Sequence, residues 1–251
     1  TKNDKSVERK FYFLLEQGFK RMRSLLTRKP SLYIHKNSGI PLIGSNEFGI
    51  VDRGTNFVEL KPITTCNIDC IYCSVDHTKR LTDIVVEEPY LVEELKKIVE
   101  LKQNKVNIHI GGQGEPLMYS ELLELVQDLR KNAKIGTISV NTNGVLLTKN
   151  MAEKLINAGL THFHISLNAL TQKKADLISN RKYPLQRIKN VCAYLSKKAS
   201  VILVPVWIPS MNDDEIDGII EFAKKIGAKI GIQNFLTHPV GKKPVNSLPM
   251  K

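Results

Sequence analysis

From Phe57 onward the chain alternates short apolar runs rich in Val and Ile with longer segments whose apolar residues recur every three to four positions. The short runs read as strands near 57–63, 106–111, 135–141, 161–167, 200–207 and 229–235. Between them, Leu122, Leu125, Val126 and Leu129 share one helical face, and Ile188, Val191, Cys192 and Leu195 share a second. Ile216, Ile219, Ile220 and Ala223 make a third. Pro89 suits the first turn of the first helix, and Asn212 with Glu215 has the spacing of a capping box. Strands that alternate with helices call for a parallel sheet with right-handed crossovers. Six βα units cannot complete an eight-stranded barrel, so the expected fold class is α/β, an open or partial (β/α)6 barrel.

The first segment differs. Over 7–27, Val7, Phe11, Leu14, Leu15, Met22 and Leu25 fall on one arc of a helical wheel. Lys10, Lys20, Arg21, Arg23 and Arg28 fall on the opposite arc with Arg9. One face is expected to pack and the other to meet phosphate or water, with Pro30 ending the helix. Residues 31–56 alternate apolar stretches with turn formers such as Gly44-Ser45-Asn46, which predicts one or two short strands. The expected organisation is a basic N-terminal helix and short strands over 1–56 capping the core, a main domain over 57–240, and a basic tail over 241–251 that leads toward a further domain.

Composition narrows the partners. The 251 residues, 42% of them hydrophobic, suffice for one large domain. Thirty-seven basic against 25 acidic residues give a formal charge of +12, a field that gathers polyanions. No apolar run reaches the length of a membrane span, and the basic start lacks a secretory signal's apolar stretch. With the cysteines clustered and not spaced as disulfides, a cytoplasmic, reducing compartment is expected.

Chemistry concentrates in Cys66-Asn67-Ile68-Asp69-Cys70-Ile71-Tyr72-Cys73, just beyond the first strand. Three thiolates can ligate three irons of a cubane cluster and leave the fourth open to a small molecule, which makes such a cluster oxygen-sensitive. The alternative is a zinc site closed by His77 as fourth ligand. Every other polar cluster follows a predicted strand: Gly111 to Glu115 the second, Asn141 to Asn143 the third, Ser166 to Asn168 the fourth, and the Pro209 turn the fifth. In parallel α/β folds that edge carries the ligand site.

The cysteine segment, with aromatic Tyr72 before the third cysteine, resembles the signature of the radical S-adenosylmethionine (SAM) superfamily. Gly111-Gly112-Gln113-Gly114-Glu115-Pro116 resembles its glycine-rich segment, and Val140-Asn141-Thr142-Asn143-Gly144 and Ile165-Ser166-Leu167-Asn168 its polar strand ends. Ile208-Pro209-Ser210-Met211-Asn212-Asp213 resembles its late turn, with Ser210 where glycine is usual. The likeness covers about residues 57–235.

That resemblance implies a [4Fe–4S] cluster on Cys66, Cys70 and Cys73, with SAM chelating the open iron. A reductant such as ferredoxin or flavodoxin supplies the electron that breaks SAM into methionine and a 5′-deoxyadenosyl radical. It implies Gly111, Gly112, Gln113, Gly114 and Glu115 at the amino group of SAM, and Asn141, Thr142, Asn143, Ser166 and Asn168 at its ribose and carboxylate. Tyr72, Val204 and Pro205 are expected at the adenine. The glycine run lacks the Lys-Ser/Thr of a phosphate loop. With a single further cysteine, Cys192, on an apolar helical face, a second three-cysteine cluster is not expected. His109, His162 and His164 read as core or strand histidines, and Arg181 and Lys182 as solvated loop charges. No catalytic acid or base is identified.

The basic surface favours tRNA or another RNA as substrate, with Lys10, Lys20, Arg21, Arg23 and Arg28 as the tract. Archaeal-type radical SAM proteins of similar appearance carry a C-terminal RNA-binding TRAM barrel. Two alternatives stand beside this: a small-molecule cofactor-biosynthesis enzyme or glycyl-radical activase with the same chemistry, and a non-enzymatic Fe–S or zinc scaffold that binds RNA.

Overall fold

The computed structural model describes residues 2–245, with side chains from residue 5 onward. In chain order the elements open with α1 (Lys2–Lys20), β1 (Ser31–Ile34), β2 (Gly49–Asp52), β3 (Phe57–Lys61) and β4 (Asp83–Val86). They continue with α2 (Glu88–Leu101), β5 (Val106–Ile110), α3 (Leu122–Arg130), β6 (Ile135–Thr142), α4 (Lys149–Ala158) and β7 (His162–Ile165). The chain then forms α5 (Gln172–Ser179), α6 (Leu185–Leu195), β8 (Ser200–Leu203), β9 (Val206–Trp207), α7 (Asp213–Ile226), β10 (Lys229–Ile230) and β11 (Gln233–Asn234).

Seven strands form the central sheet in the order β10-β8-β7-β6-β5-β3-β2. Six run parallel, and β2 joins one edge antiparallel to β3. The alternation in β5 shows what holds it: Val106, Ile108 and Ile110 are fully buried, while Asn107 and His109 face the other way. The buried side meets helix stripes such as Leu91, Leu95, Ile98 and Val99 of α2, and Leu122, Leu125, Val126 and Leu129 of α3. Loop chemistry fits each end. Thr148 Oγ1 accepts from Met151 N at the start of α4, and Gly159, at φ 111°, closes it in the left-handed region.

Each of the six expected strands exists, with shifted bounds. The run at 200–207 breaks into β8 and β9 because Pro205 has no N–H to give a ladder, and 229–235 breaks opposite it into β10 and β11. β4 was not foreseen; it pairs in parallel with β1 beside the sheet. At Asn212 and Glu215 the expected capping box does not form. Asn212 instead spends its amide on Ile208 N, Asn168 O and Val206 O, and Glu215 accepts from Leu170 N and Thr171 Oγ1.

The N-terminal helix also departs from expectation. It stops at Lys20, because residues 22–31 fold back on themselves: Ser24 N donates to Lys29 O and Ser31 N to Met22 O, with Arg28 at φ 60°. Its apolar arc is uncovered, with Val7, Phe11 and Leu14 each more than half exposed. No helix among the described residues is long and apolar enough to cross a membrane.

Candidate active site

The carboxyl ends of the parallel strands converge on the loop that follows β3. This loop carries Cys66, Cys70 and Cys73, all partly exposed free thiols. It is pinned to the end of α5 by hydrogen bonds from Asp69 N to Ser179 O (3.2 Å) and Ile71 N to Ile178 O (3.0 Å). Burial pushes the thiols of Cys66 and Cys70 up to about 12; it also raises Cys73, against the pull of Lys242 and Arg80. In the metal-free chain all three are therefore protonated at neutral pH, and loading a metal must release protons.

The glycine segment after β5 braces this loop. Glu115 N donates to Thr65 O at 2.9 Å, immediately before Cys66. A Cβ on Gly114 would lie 2.6 Å from Thr65 O and 2.7 Å from Ile63 O, so this glycine is required by backbone on backbone. Gly112, at φ 116°, adopts a conformation that side chains avoid, and a Cβ on Gly111 would meet Asn141 Cβ and His109 Nε2 at 3.2 Å. The glycines thus serve packing within the chain as well as any approach of a ligand. Gln113 is tied through its carbonyl to Arg80 Nη2 (2.7 Å), whose Nη1 donates to Thr64 O (2.8 Å).

Glu115, expected to reach SAM, is turned inward and buried. Its carboxylate accepts from Leu117 N (3.0 Å), Thr142 Oγ1 (2.7 Å) and Asn143 N (2.8 Å), and burial raises its pKa against those bonds. It clamps the end of β6 to the glycine segment. Thr142 is consumed in the same knot, since its hydroxyl also accepts from Gly144 N. Asn143 donates to Asn67 Oδ1 at 2.7 Å and lies 3.9 Å from Cys66 Sγ. Asn168 is likewise engaged: its Nδ2 donates to the Tyr72 hydroxyl (2.8 Å) and its Oδ1 accepts from Val206 N (2.8 Å). Ser166 borders a small cleft with Cys70, Tyr72 and Tyr183. Val204 is buried, and Pro205 O accepts from Gln233 N.

Two buried side-chain atoms here have no partner: Asn67 Nδ2, next to Cys66, and Asn141 Oδ1, at the end of β6. An orphan donor and an orphan acceptor cost free energy unless a ligand completes them. SAM carries both kinds of complement in its ammonium, carboxylate and ribose hydroxyls, so the residues present fit it. Cavities of about 450 Å³ beside Cys66 and about 550 Å³ beside Tyr72 offer room on either side of the loop.

The thiols also fit a cluster better than zinc. His77 Nε2 lies 3.7 Å from Cys73 Sγ, and burial and then Arg80 hold its pKa down near 4, which leaves it a neutral imidazole. Among the described residues no three His, Cys, Asp or Glu side chains are arranged to hold a metal ion. A cubane offers a separate iron to each thiolate and does not need donors converging on one point.

The open face of the sheet is polar. His109 and His164 stack edge to face at 5.0 Å, and both are held below the usual histidine range, His109 near 4 by burial and then His164, and His164 by burial and then His162. Ser139 gives its hydrogen to Ile108 O (3.1 Å), so its oxygen accepts from His109 Nδ1 (2.8 Å) and leaves His109 Nε2 with a free lone pair. These are strand histidines on the face of the sheet opposite the packed helices, not core residues.

Sequence reasoning missed Asn67, Asp69, Arg80, Tyr183 and Lys242. Tyr183 donates to Asn143 O (2.7 Å), and no motif marks it. The basic tract does not assemble on one helical face: Lys20 pairs with Glu16, Arg21 follows the end of α1, and Arg23 and Arg28 lie in the fold-back, where Arg23 donates to Arg28 O. Arg181 instead lines the cavity beside Cys66, together with Lys29 and Leu26 of that fold-back.

Comparison with known proteins gives the family and the fold. The profile of the Radical SAM superfamily matches residues 60–223. An uncharacterised protein of Methanocaldococcus jannaschii is 37% identical over 231 residues, covering 88% of this chain and 53% of its own length. A GTP 3′,8-cyclase of Campylobacter jejuni subsp. doylei is 30% identical over 200 residues, covering 76% of this chain and 60% of its own. The chain thus spans between half and two thirds of these curated relatives. Streptococcus suis SuiB, solved with S-adenosylmethionine bound, shares the fold with a TM-score of 0.61 at 17% identity, over 80% of this chain and 44% of that one.

Proposed function

This chain belongs to the radical SAM superfamily, and on that premise we propose that it cleaves SAM reductively at a [4Fe–4S] cluster held by Cys66, Cys70 and Cys73. Members of the superfamily are enzymes that use such a cluster and SAM. When bound, the two supply a one-electron break of the sulfonium C–S bond, giving methionine and a 5′-deoxyadenosyl radical able to take hydrogen from an unactivated C–H. The protein's share is positional. Asn67 and Asn141 offer the open hydrogen-bonding positions, Glu115 and Thr142 fix the strand end that carries Asn143, and Tyr72 is oriented by Asn168.

The observation that carries this reading is the pairing of three loop thiols with two orphan polar atoms, Asn67 Nδ2 and Asn141 Oδ1, at the same sheet edge. On this reading the sheet is a partial (β/α)6 barrel over 57–240, capped by 1–56. Anaerobic reconstitution followed by dithionite and SAM tests it: 5′-deoxyadenosine is expected, and an iron-loaded protein that leaves SAM intact refutes it.

For the substrate, the charge of +12 supports tRNA or another RNA, as would a TRAM-like partner domain. The relatives named GTP 3′,8-cyclase favour a second reading, a small nucleotide in the polar concave face. The two differ in salt response. Replacing Arg21 and Arg23 by Ala should flatten the slope of log K against log salt for RNA by about 1 to 2, whereas binding of a small nucleotide in the concave face should not move with these residues.

A further inference from the structure

Residues 240–242, past β11, do not trail away from the core. Val240 O accepts from Asp76 N (2.9 Å) and Lys242 N donates to Cys73 O (2.9 Å), so the segment lies along the far end of the cysteine loop. Gly241 is buried between these two bonds. A Cβ there would sit 2.9 Å from Ser74 O and 3.0 Å from Cys73 O, which makes the contact one of backbone on backbone.

The ammonium of Lys242 then reaches back along the loop. It donates to Asp69 O (3.2 Å) and to the Asp69 carboxylate, in a pair whose side chains are 18% and 22% exposed. The second oxygen of Asp69 accepts from Asn180 Nδ2 (3.1 Å), at the end of α5. The loop bearing the three thiols is therefore gripped from two sides, by α5 and by residues 240–242. Lys242 and Asp69 are also among the charges felt at Cys73, with opposite signs.

We propose that Lys242 is a positioning residue of the cysteine loop, and that its pair with Asp69 balances the charge beside a cluster bound at Cys73. The proposal deepens the function above and rests on the cluster reading. Reduction adds an electron to the cluster, so a nearby cation favours the reduced form and a nearby anion opposes it; net charge and outer hydrogen bonds are among the levers that set such potentials. With the pair intact the two effects largely cancel. Removing the lysine uncovers the carboxylate, and neutralising the carboxylate uncovers the lysine.

The test uses the full chain, reconstituted without oxygen, and follows the cluster's midpoint potential by electron paramagnetic resonance without SAM. Lys242→Met should move the potential to more negative values and Asp69→Asn to less negative ones, with Lys242→Arg close to the parent. Shifts of the same sign in Met and Asn variants, or none, overturn the charge balance, since simple loosening of the loop would move both alike. In the metal-free chain, hydrogen exchange over 70–78 should quicken in Lys242→Met and recover in Lys242→Arg. Unchanged exchange in Lys242→Met overturns the positioning role without touching the cluster reading. A parent protein that binds no iron overturns the charge balance together with the cluster reading.

Discussion

The Glu115 carboxylate accepts a hydrogen bond from Asn143 N at 2.8 Å, tying the glycine segment after β5 to the end of β6 beneath the cysteine loop. Three donors point at this buried group, so its value lies in accepting. Glu115→Gln places an amide N–H against one of those donors and should cost about 1–3 kcal/mol of stability. SAM affinity should weaken with it, since Asn143 and the neighbouring Asn141 lose their anchor. Chemical unfolding alongside SAM binding measures both.

Asn141 makes the opposite trade. Its Oδ1 is buried without a partner, a cost the free protein bears. Asn141→Leu should stabilise the SAM-free protein by up to about 1 kcal/mol by removing the orphan acceptor, and weaken SAM binding about tenfold or more. Unfolding and binding titrations on one preparation check the two signs together.

Ser210 stands where the resembling turn has glycine, and its φ of 64° is in the left-handed region. Because the side chain is exposed and only the backbone is strained, Ser210→Gly should raise stability by up to about 1 kcal/mol with SAM cleavage unchanged. A shift in melting temperature checks it.

Much of the fold was legible because period and spacing are local. The βα alternation and the helix faces beyond residue 57 were read correctly from apolar positions, while the break at Pro205 and the strand β4 depended on neighbours distant in sequence. The cysteines and the strand-end asparagines stood out as motifs. Arg80, Tyr183 and Lys242 did not, since each acts through contacts 16 to 173 residues away along the chain. Glu115 was found, but its inward turn depends on the burial of Thr142 and Asn143, which no pattern encodes. The helix at 7–27 was drawn too long because the periodicity continues through a segment that prefers its own fold-back.

Glu88, in the first turn of α2, gives a pH dependence. Burial, then Asp128, Glu121 and Glu124, raise its pKa from 4.5 to about 7, and one of its oxygens has no partner. Between those values the folded protein keeps a proton that the unfolded chain has released. Stability contributed by this group is therefore full at low pH and falls as pH rises from 4.5 through about 7, levelling above it. Glu88→Gln should remove that fall, as melting temperatures of the two proteins across the window will show.

The central claim is most directly tested by comparing the parent with Cys70→Ala after anaerobic reconstitution, counting iron and sulfide per chain and assaying 5′-deoxyadenosine with dithionite and SAM. The account predicts about four irons and deoxyadenosine formation in the parent, and neither in the variant. An unaltered cluster and undiminished SAM cleavage in Cys70→Ala, or a parent that loads iron and leaves SAM whole, would contradict it.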